Sequence, residues 1–165
     1  MSNLKILITG GLGYIGGRIV DFLKRKHPES IIVLGTSRQI TKTPDWAKPF
    51  QIVRLNILDP VSIKEAISKD FTAIIHLAAL NEHDSFSDIK SAWETNALGT
   101  QSLLSVASEK LIPKFIYFST FHVYADCFEI ITEESSTKSH HPYAATHRAA
   151  EDMARFFQNY KNTKD

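Results

Sequence analysis

Five short apolar segments, separated by stretches with helical periodicity, constrain the fold of this chain more than any other feature. The segments are rich in Ile, Val and Phe. They lack the alternation of polar and apolar residues that is typical of a strand with one solvated face, so each is typical of a strand buried on both faces. The five predicted strands are Leu4 to Thr9, Ser30 to Thr36, Phe50 to Leu55, Phe71 to Ala78 and Lys114 to Thr120.

Apolar residues at helical spacing occupy the intervals between these strands. The second helix shows a clear start, because Pro60, favoured in a first helical turn, follows Asp59, a suitable N-cap. Strand alternating with helix indicates right-handed crossovers, and we therefore predict an α/β fold, a doubly wound parallel sheet with helices on both faces. The predicted helices are Tyr14 to His27, Pro60 to Lys69, Asp88 to Lys110 and Tyr143 to about Asn159.

Composition excludes several classes of protein. A length of 165 residues favours one domain, residues 1–165, and 19 basic against 18 acidic residues leave no bulk charge for nucleic acid or an anionic membrane. No run approaches the roughly 18 apolar residues of a membrane span, and no secretory signal or cysteine pair is evident. We expect a soluble cytoplasmic protein. His140 and His141 lie in a polar loop without a second cluster at metal spacing, so no metal site is expected.

Three glycines mark a candidate ligand site. Gly10, Gly13 and Gly16 follow the first predicted strand directly and open the first predicted helix. Glycine allows a tight turn and close approach of a pyrophosphate to the backbone, while the helix N-terminus supplies N–H groups and a positive dipole. Because open α/β sheets bind ligands beyond the carboxyl ends of their strands, this turn predicts a dinucleotide site.

The glycine spacing, with Tyr14 and Ile15 inside it, resembles that of the extended short-chain dehydrogenase/reductases, the family that includes nucleotide-sugar epimerases and dehydratases. The resemblance covers nearly the whole chain and implies a Rossmann-type fold. Four further motifs match the family in the correct order: HLAA at His76 to Ala79, TNALGT at Thr95 to Thr100, FSTFHVYA at Phe118 to Ala125 and PYAATH at Pro142 to His147.

The resemblance implies a nicotinamide dinucleotide cofactor. The segment Leu34 to Gln39 lacks the carboxylate that an NAD-preferring member places on the ribose 2′-OH, and Arg38 could bind a 2′-phosphate, which favours NADP over NAD. Alternatively, Arg38 is a solvated loop residue or stacks on adenine, and Asp59 is only a helix cap. The implied cofactor-binding residues are Gly10, Gly13, Tyr14, Ile15, Gly16, Arg38, Asn56, Asp59, Leu77, Ala78, Ala79 and Asn96.

The resemblance also implies catalytic roles for Thr120, Tyr143 and His147. Tyr143 matches the family's base, Thr120 matches the hydroxyl that orients the substrate, and His147 stands where the family has lysine. Tyr143 and His147 share a helical face. An imidazole is mostly neutral at pH 7, so it should favour a phenolate less than lysine does. Alternatively, a cofactor phosphate raises the pKa of His147, or His147 is a partly exposed helical residue and Arg148 or a lysine supplies the charge.

The implied activity is that of an NAD(P)-dependent nucleotide-sugar epimerase or dehydratase, acting by transient hydride transfer at a sugar hydroxyl carbon. A non-catalytic dinucleotide-binding or redox-sensing module is the alternative. Family members are longer, so we expect this chain to be a piece that lacks the C-terminal strands and the substrate-binding region. The implied partners are a nucleotide sugar and a second copy, which would pack through the helices Asp88 to Lys110 and Tyr143 to Asn159.

Overall fold

The computed structural model describes residues 4–37, 43–124, 130–138 and 140–162. Arg38, the predicted 2′-phosphate contact, lies outside the described residues. The described strands are β1 (Lys5–Thr9), β2 (Ile31–Thr36), β3 (Gln51–Arg54), β4 (Ala73–His76) and β5 (Lys114–Tyr117). The described α-helices are α1 (Tyr14–Lys26), α2 (Pro60–Ala66), α3 (Glu82–Ser87), α4 (Ile89–Ala92), α5 (Thr100–Glu109) and α6 (Pro142–Asn162).

The five strands form one parallel sheet in the order β3-β2-β1-β4-β5. The register pairs Leu7 with Val33 on one side and with Ile74 on the other. Strand order reverses between β1 and β4, and the carboxyl ends of these two strands therefore mark the switch point where open α/β sheets bind ligands. The predicted doubly wound parallel fold is confirmed.

Alternate residues of the central strands supply two separate cores, one on each face of the sheet. Leu7, Val33 and Ile74 point to one face, where Ile63 of α2 and Leu103 of α5 cover them. The other core, beneath α1, contains Ile8, Ile32, Leu34, Ile75 and Val20. Burial of each such side chain stabilises the fold by about 1.5–3 kcal/mol, which explains why apolar runs rather than alternating patterns encode these strands.

The outer strands depart from the prediction of burial on both faces. Their residues are only partly covered, and Ile116 of β5 is 45% exposed. An edge strand has a neighbour on one side alone, which leaves its side chains less enclosed than those of β1, β2 and β4. The prediction of complete burial is therefore wrong for β3 and β5.

The chain divides into two compact units, Met1–Ala78 with Ser102–Phe118, and Ala79–Gln101 with Ser119–Asp165. The first unit contains the sheet. In the second, α6 packs against α3, α4 and the π-helical segment Trp93–Gly99. No helix among the described residues combines the length and the apolarity that crossing a membrane demands.

Two features of the helices were not predicted from the sequence. α3 is an additional helix, capped by the Asn81 side chain, which accepts the N–H of Asp84. The helix predicted from Asp88 to Lys110 is present, but it consists of α4, the π-helical segment and α5, with Asp88 as the N-cap of α4. The π-helical turn brings Asn96 into a buried position.

Candidate functional site

The glycine turn between β1 and α1 is shaped by contacts that exclude side chains. Gly10 has a φ of +65°, and a Cβ on it would lie 3.0 Å from the backbone nitrogen of Ala78. A Cβ on Gly16 would lie 2.3 Å from the carbonyl oxygen of Gly11, which no real side chain tolerates. Gly10 is thus required because the turn packs closely against the end of β4, and Gly16 is required because α1 packs closely against the turn.

The N-terminus of α1 carries no side-chain cap. Gly13 is the N-cap residue, and the first turn contains no acidic side chain. The first N–H groups of a helix have no partner within the helix, and they carry the positive end of its dipole. Tyr14 and Ile15, predicted to contact the cofactor, are exposed in this first turn. An anionic group such as a pyrophosphate fits this position, and the residues present are therefore suited to a dinucleotide.

The buried Thr9 hydroxyl fixes the facing end of β4. Its oxygen accepts the N–H groups of Leu77 and Ala78, each at 3.2 Å, and the hydroxyl shares a further hydrogen bond with Nδ1 of His76 at 2.6 Å. His76 is fully buried in this contact. Leu77 and Ala78, two predicted cofactor-binding residues, are therefore held next to the glycine turn, and His76 has a packing role.

The ends of β2 and β3 are arranged by local hydrogen bonds. Gly11 N–H donates to the carbonyl oxygen of Gly35 at 3.3 Å, which ties the glycine turn to β2. After β3, the Asn56 side chain accepts the N–H of Leu58 at 3.1 Å. Asp59 accepts the N–H of Val61 at 3.0 Å and is the N-cap of α2, as its position before Pro60 predicted. Adenine contacts by Asn56 and Asp59 stay predictions.

In the second unit, Asn96 joins three segments. Its Oδ1 accepts the N–H of Leu80 at 2.7 Å, and its Nδ2 donates to the Leu80 carbonyl oxygen and to Oγ1 of Thr146 on α6. Asn96 is 1% exposed. The carboxamide group thus positions the segment after Ala79 and fixes the start of α6, while direct contact between Asn96 and a cofactor stays a prediction.

Tyr143 and His147 lie side by side on α6, as their spacing predicted. Their ring centroids are 4.5 Å apart in an edge-to-face arrangement. Tyr143 is partly exposed, whereas His147 is 2% exposed. The alternative that His147 is a partly exposed helical residue is therefore wrong, because small residues at helical spacing, Ala144 and Ala150, place it on the buried face of α6.

Burial determines the charge of His147. Loss of solvation lowers its pKa from 6.5 to about 4, and the negative charge of Glu151 only partly opposes this change. At pH 7 about 0.1% of such a group is protonated. His147 is therefore neutral here and can act beside Tyr143 as a hydrogen-bonding group, but not as a cation. Arg148, the alternative source of charge, pairs with Glu151 and Asp152.

Thr120 lies at the start of a 3-10 turn, Phe121–Val123, that packs against α6. Its Oγ1 accepts the N–H of His122 at 3.3 Å. The ring centroid of His122 is 5.9 Å from that of Tyr143, so the Thr120 segment and the tyrosine belong to one region of the second unit. Ser119 donates instead to Glu151 at 2.5 Å. The structure brings Thr120, Tyr143 and His147 into one region, and their catalytic roles stay predictions.

The same region contains a cluster that the sequence did not reveal. Glu82, His122 and His141 each offer one donor atom, and these atoms lie within 4.8 Å of one another. Glu82 begins α3, His122 lies in the 3-10 turn and His141 directly precedes α6, so their spacing in the sequence gave no sign of the cluster.

Comparison with known proteins decides the family. A family model described as "NAD dependent epimerase/dehydratase family" matches residues 6–164.

The chain belongs to this family.

One relative of this chain is a dTDP-D-glucose 4,6-dehydratase of Dictyostelium discoideum. The two sequences are 33% identical over an alignment that covers 97% of this chain and 41% of the relative. Among solved structures, the UDP-Glc/GlcNAc 4-epimerase of Campylobacter jejuni has a TM-score of 0.85 at 24% identity and covers 96% of this chain and 50% of that chain, which shows the fold alone.

A further solved structure contains a cofactor. A short-chain dehydrogenase/reductase superfamily protein from Agrobacterium tumefaciens with bound NAD is 25% identical, with a TM-score of 0.79 over 93% of this chain and 45% of that chain. This chain therefore spans about half the length of the relatives that it matches. The family resemblance seen in the sequence is confirmed, and it concerns the N-terminal part of the longer proteins.

Proposed function

We propose that this chain is the dinucleotide-binding part of an NAD(P)-dependent nucleotide-sugar epimerase or dehydratase. The observation that carries the proposal is the glycine turn at the switch point of the sheet. There Gly10 and Gly16 leave no room for a side chain, and the uncapped start of α1 offers N–H groups. A backbone cradle of this kind fits a pyrophosphate. The family match and the dehydratase relative support the enzymatic reading over a non-catalytic module.

The proposed cofactor is a nicotinamide adenine dinucleotide, with a preference for NADP. Relatives solved with NAD support use of this class of cofactor. The preference rests on the sequence after β2, where Thr36, Ser37 and Arg38 stand without a carboxylate that would repel a 2′-phosphate. When bound, the nicotinamide ring accepts or returns a hydride.

Tyr143 is the proposed base and Thr120 the proposed orienting hydroxyl. As phenolate, the tyrosine would take the proton of a sugar hydroxyl, and the carbon that bears this hydroxyl would become a ketone by losing a hydride to the bound nicotinamide. The resulting keto sugar would permit epimerisation or dehydration. His147 is buried and neutral, with a pKa of about 4, so it holds the phenol by position rather than by charge. A neutral residue at this position favours slow proton transfer between the sugar hydroxyl and Tyr143 at neutral pH. It also favours a second candidate function, in which the chain binds a dinucleotide without turnover.

A pair of adjacent glycines provides the first experiment. A Cβ on Gly16 meets the Gly11 carbonyl oxygen at 2.3 Å, whereas a Cβ on Gly17 meets Trp46 at an ordinary 3.5 Å. Gly16→Ala should therefore lower the affinity for NAD and NADP by at least about tenfold, equivalent to about 1.4 kcal/mol. Gly17→Ala should bind normally and be as stable as the original chain or more stable.

Isothermal titration calorimetry of both variants with NAD and NADP checks this expectation, and circular dichroism verifies that each variant is folded. Binding of neither dinucleotide by the original chain and by the full-length gene product would overturn the proposal. If a folded Gly16→Ala variant binds NAD and NADP as tightly as the original chain does, the glycine turn is not the binding site. Adding nucleotide sugars to the loaded protein and following nicotinamide absorbance then separates an enzyme from a module that only binds.

Self-association through the long helices is part of the proposal. In the second unit, apolar side chains of α4, the π-helical segment and α6 are exposed, which suits a homodimer in which these helices pack against those of a second copy. The exposed apolar residues of this surface are Ile89, Trp93, Leu98, Met153 and Phe156.

A further inference from the structure

Glu82, His122 and His141 form a compact set of donor groups in the second unit. Their ligand atoms lie within 4.8 Å of one another, and Nε2 of His122 is 3.6 Å from Oε2 of Glu82. No other group of this kind occurs within the part of the chain that the structure describes. Two imidazoles and one carboxylate are a donor set that holds Zn²⁺ in enzymes with an open coordination position.

The separation of the donors fits a shared cation better than a hydrogen bond. A distance of 3.6 Å is too long for a hydrogen bond between His122 and Glu82. Two ligands of a tetrahedral ion with bonds of about 2.1 Å lie about 3.4 Å apart. The remaining donor atoms must approach by about 1 Å or somewhat more to reach this geometry, a movement within the range of side-chain rotation.

The backbone of each ligand is fixed by local hydrogen bonds. Glu82 is the first residue of α3, which Asn81 caps. The N–H of His122 donates to Thr120, and the carbonyl oxygen of His141 accepts the N–H of Ala145 at 3.0 Å as α6 begins. The donors are thus presented by two helix starts and a 3-10 turn.

Aromatic rings lie against the two imidazoles. Phe121 stacks on His122 with 4.1 Å between ring centroids, and Phe86 lies 5.3 Å from His141. Tyr143 lies parallel to His141 at 6.3 Å. Ring contacts of this kind restrict the orientation of the imidazoles, while the exposed carboxylate of Glu82 leaves a path of entry.

We infer that Glu82, His122 and His141 bind one divalent metal ion of the Zn²⁺ type, with a fourth coordination position open to water or ligand. Imidazole suits Zn²⁺ and its transition-metal neighbours, whereas Mg²⁺ and Ca²⁺ prefer oxygen ligands. The inference does not depend on dinucleotide binding. It replaces the expectation of no metal site, which considered spacing along the chain alone.

Binding has one identifiable cost in the structure. The N–H of Ala144 donates to Nδ1 of His141 at a long 3.4 Å. A metal bound at Nδ1 would take the place of the Ala144 N–H. A metal bound at Nε2 would leave the ring proton on Nδ1, which could then no longer accept a hydrogen bond from Ala144. Since the bond is long, its loss is small beside the gain of a metal–nitrogen bond.

Zn²⁺ titration of the untagged, chelator-treated 165-residue chain tests the site. We expect one ion per chain by calorimetry and a visible absorption band when Co²⁺ is used instead. Glu82→Ala and His122→Gln should each weaken Zn²⁺ binding by at least about tenfold. The matched controls are His83→Gln and His140→Gln, which remove exposed histidines next in sequence to Glu82 and His141 and should leave the affinity unchanged.

Two results would overturn the inference. One is the absence of stoichiometric Zn²⁺ binding by the original chain, and the other is equal Zn²⁺ affinity in folded Glu82→Ala and His122→Gln variants. X-ray absorption on the Zn²⁺-loaded original chain needs no variant and counts its imidazole ligands. Two imidazoles agree with the inference, while one or none contradicts it.

Discussion

The buried neutral histidine of α6 should make the stability of this protein fall in mild acid. The pKa of His147 is lowered from 6.5 to about 4 in the folded chain. Between these values the unfolded chain binds a proton that the folded chain does not, so the free energy of unfolding rises with pH across this window. The stabilisation is present above pH 6.5 and is lost as the pH falls towards 4.

The two pKa values give the size of the effect. Proton linkage with 6.5 in the unfolded chain and about 4 in the folded chain predicts a loss of about 2 kcal/mol between pH 7 and pH 5. The loss approaches about 3 kcal/mol below pH 4. His147→Gln keeps a polar side chain at this position but removes the titrating group, and the variant should lack this part of the pH dependence.

Urea denaturation at pH 7 and pH 5 measures the difference. The original chain should lose about 2 kcal/mol more than His147→Gln between the two pH values. His83→Gln, which removes an exposed histidine, should follow the original chain. Equal losses in the original chain and in His147→Gln would refute the argument from burial. A histidine proton resonance that titrates with a midpoint near 4 and disappears in His147→Gln would support it directly.

Three further changes test other parts of the molecule. Asn96→Ala removes the carboxamide that hydrogen-bonds both Leu80 and Thr146, so the free energy of unfolding measured with urea should fall by about 2–3 kcal/mol. A decrease below about 0.5 kcal/mol would contradict a stabilising role for these hydrogen bonds. Leu98 is 58% exposed, so Leu98→Glu should disrupt the proposed dimer without loss of stability, and analytical ultracentrifugation should show a monomer. Ile130→Glu should leave the proposed dimer intact. If the lack of a cation beside Tyr143 limits the reaction, His147→Lys should raise the rate at which bound nicotinamide is reduced or oxidised at pH 7 by at least about tenfold. An unchanged rate with intact dinucleotide binding would show that the missing cation is not limiting.

The sequence predicted the first unit well because its signals are local. The continuous apolar runs of β1, β2 and β4 reflect burial on both faces, and Gly16 reflects a contact with Gly11, five residues away. The contact of Gly10 with Ala78 is long-range, but the glycine spacing indicated this position too. The predicted ends of the helices agree with the structure to within a few residues, for example Tyr14–Lys26 for α1. Partial exposure of β3 and β5 depends on strand order, which apolar composition does not encode.

The second unit was predicted less completely because its contacts join distant segments. α3 is short and polar, so it lacks an apolar period, although Asn81 and Asp88 at its two ends were usable cap signals. The burial of His147 was indicated by Ala144 and Ala150, three residues away on either side, which mark a closely packed helix face. The meeting of Glu82, His122 and His141 had no local signal.

The hydrogen bonds of Thr9 impose an order of events during synthesis. The hydroxyl at the end of β1 receives the N–H of Ala78, 69 residues later. At translation rates of 5–20 residues per second, about 3 to 14 s pass between the appearance of the glycine turn and that of its partner strand. Until β4 arrives, a nascent chain displays β1 without one of its two neighbours. The glycine turn therefore acquires its contacts with the end of β4 only after these 69 residues have been made.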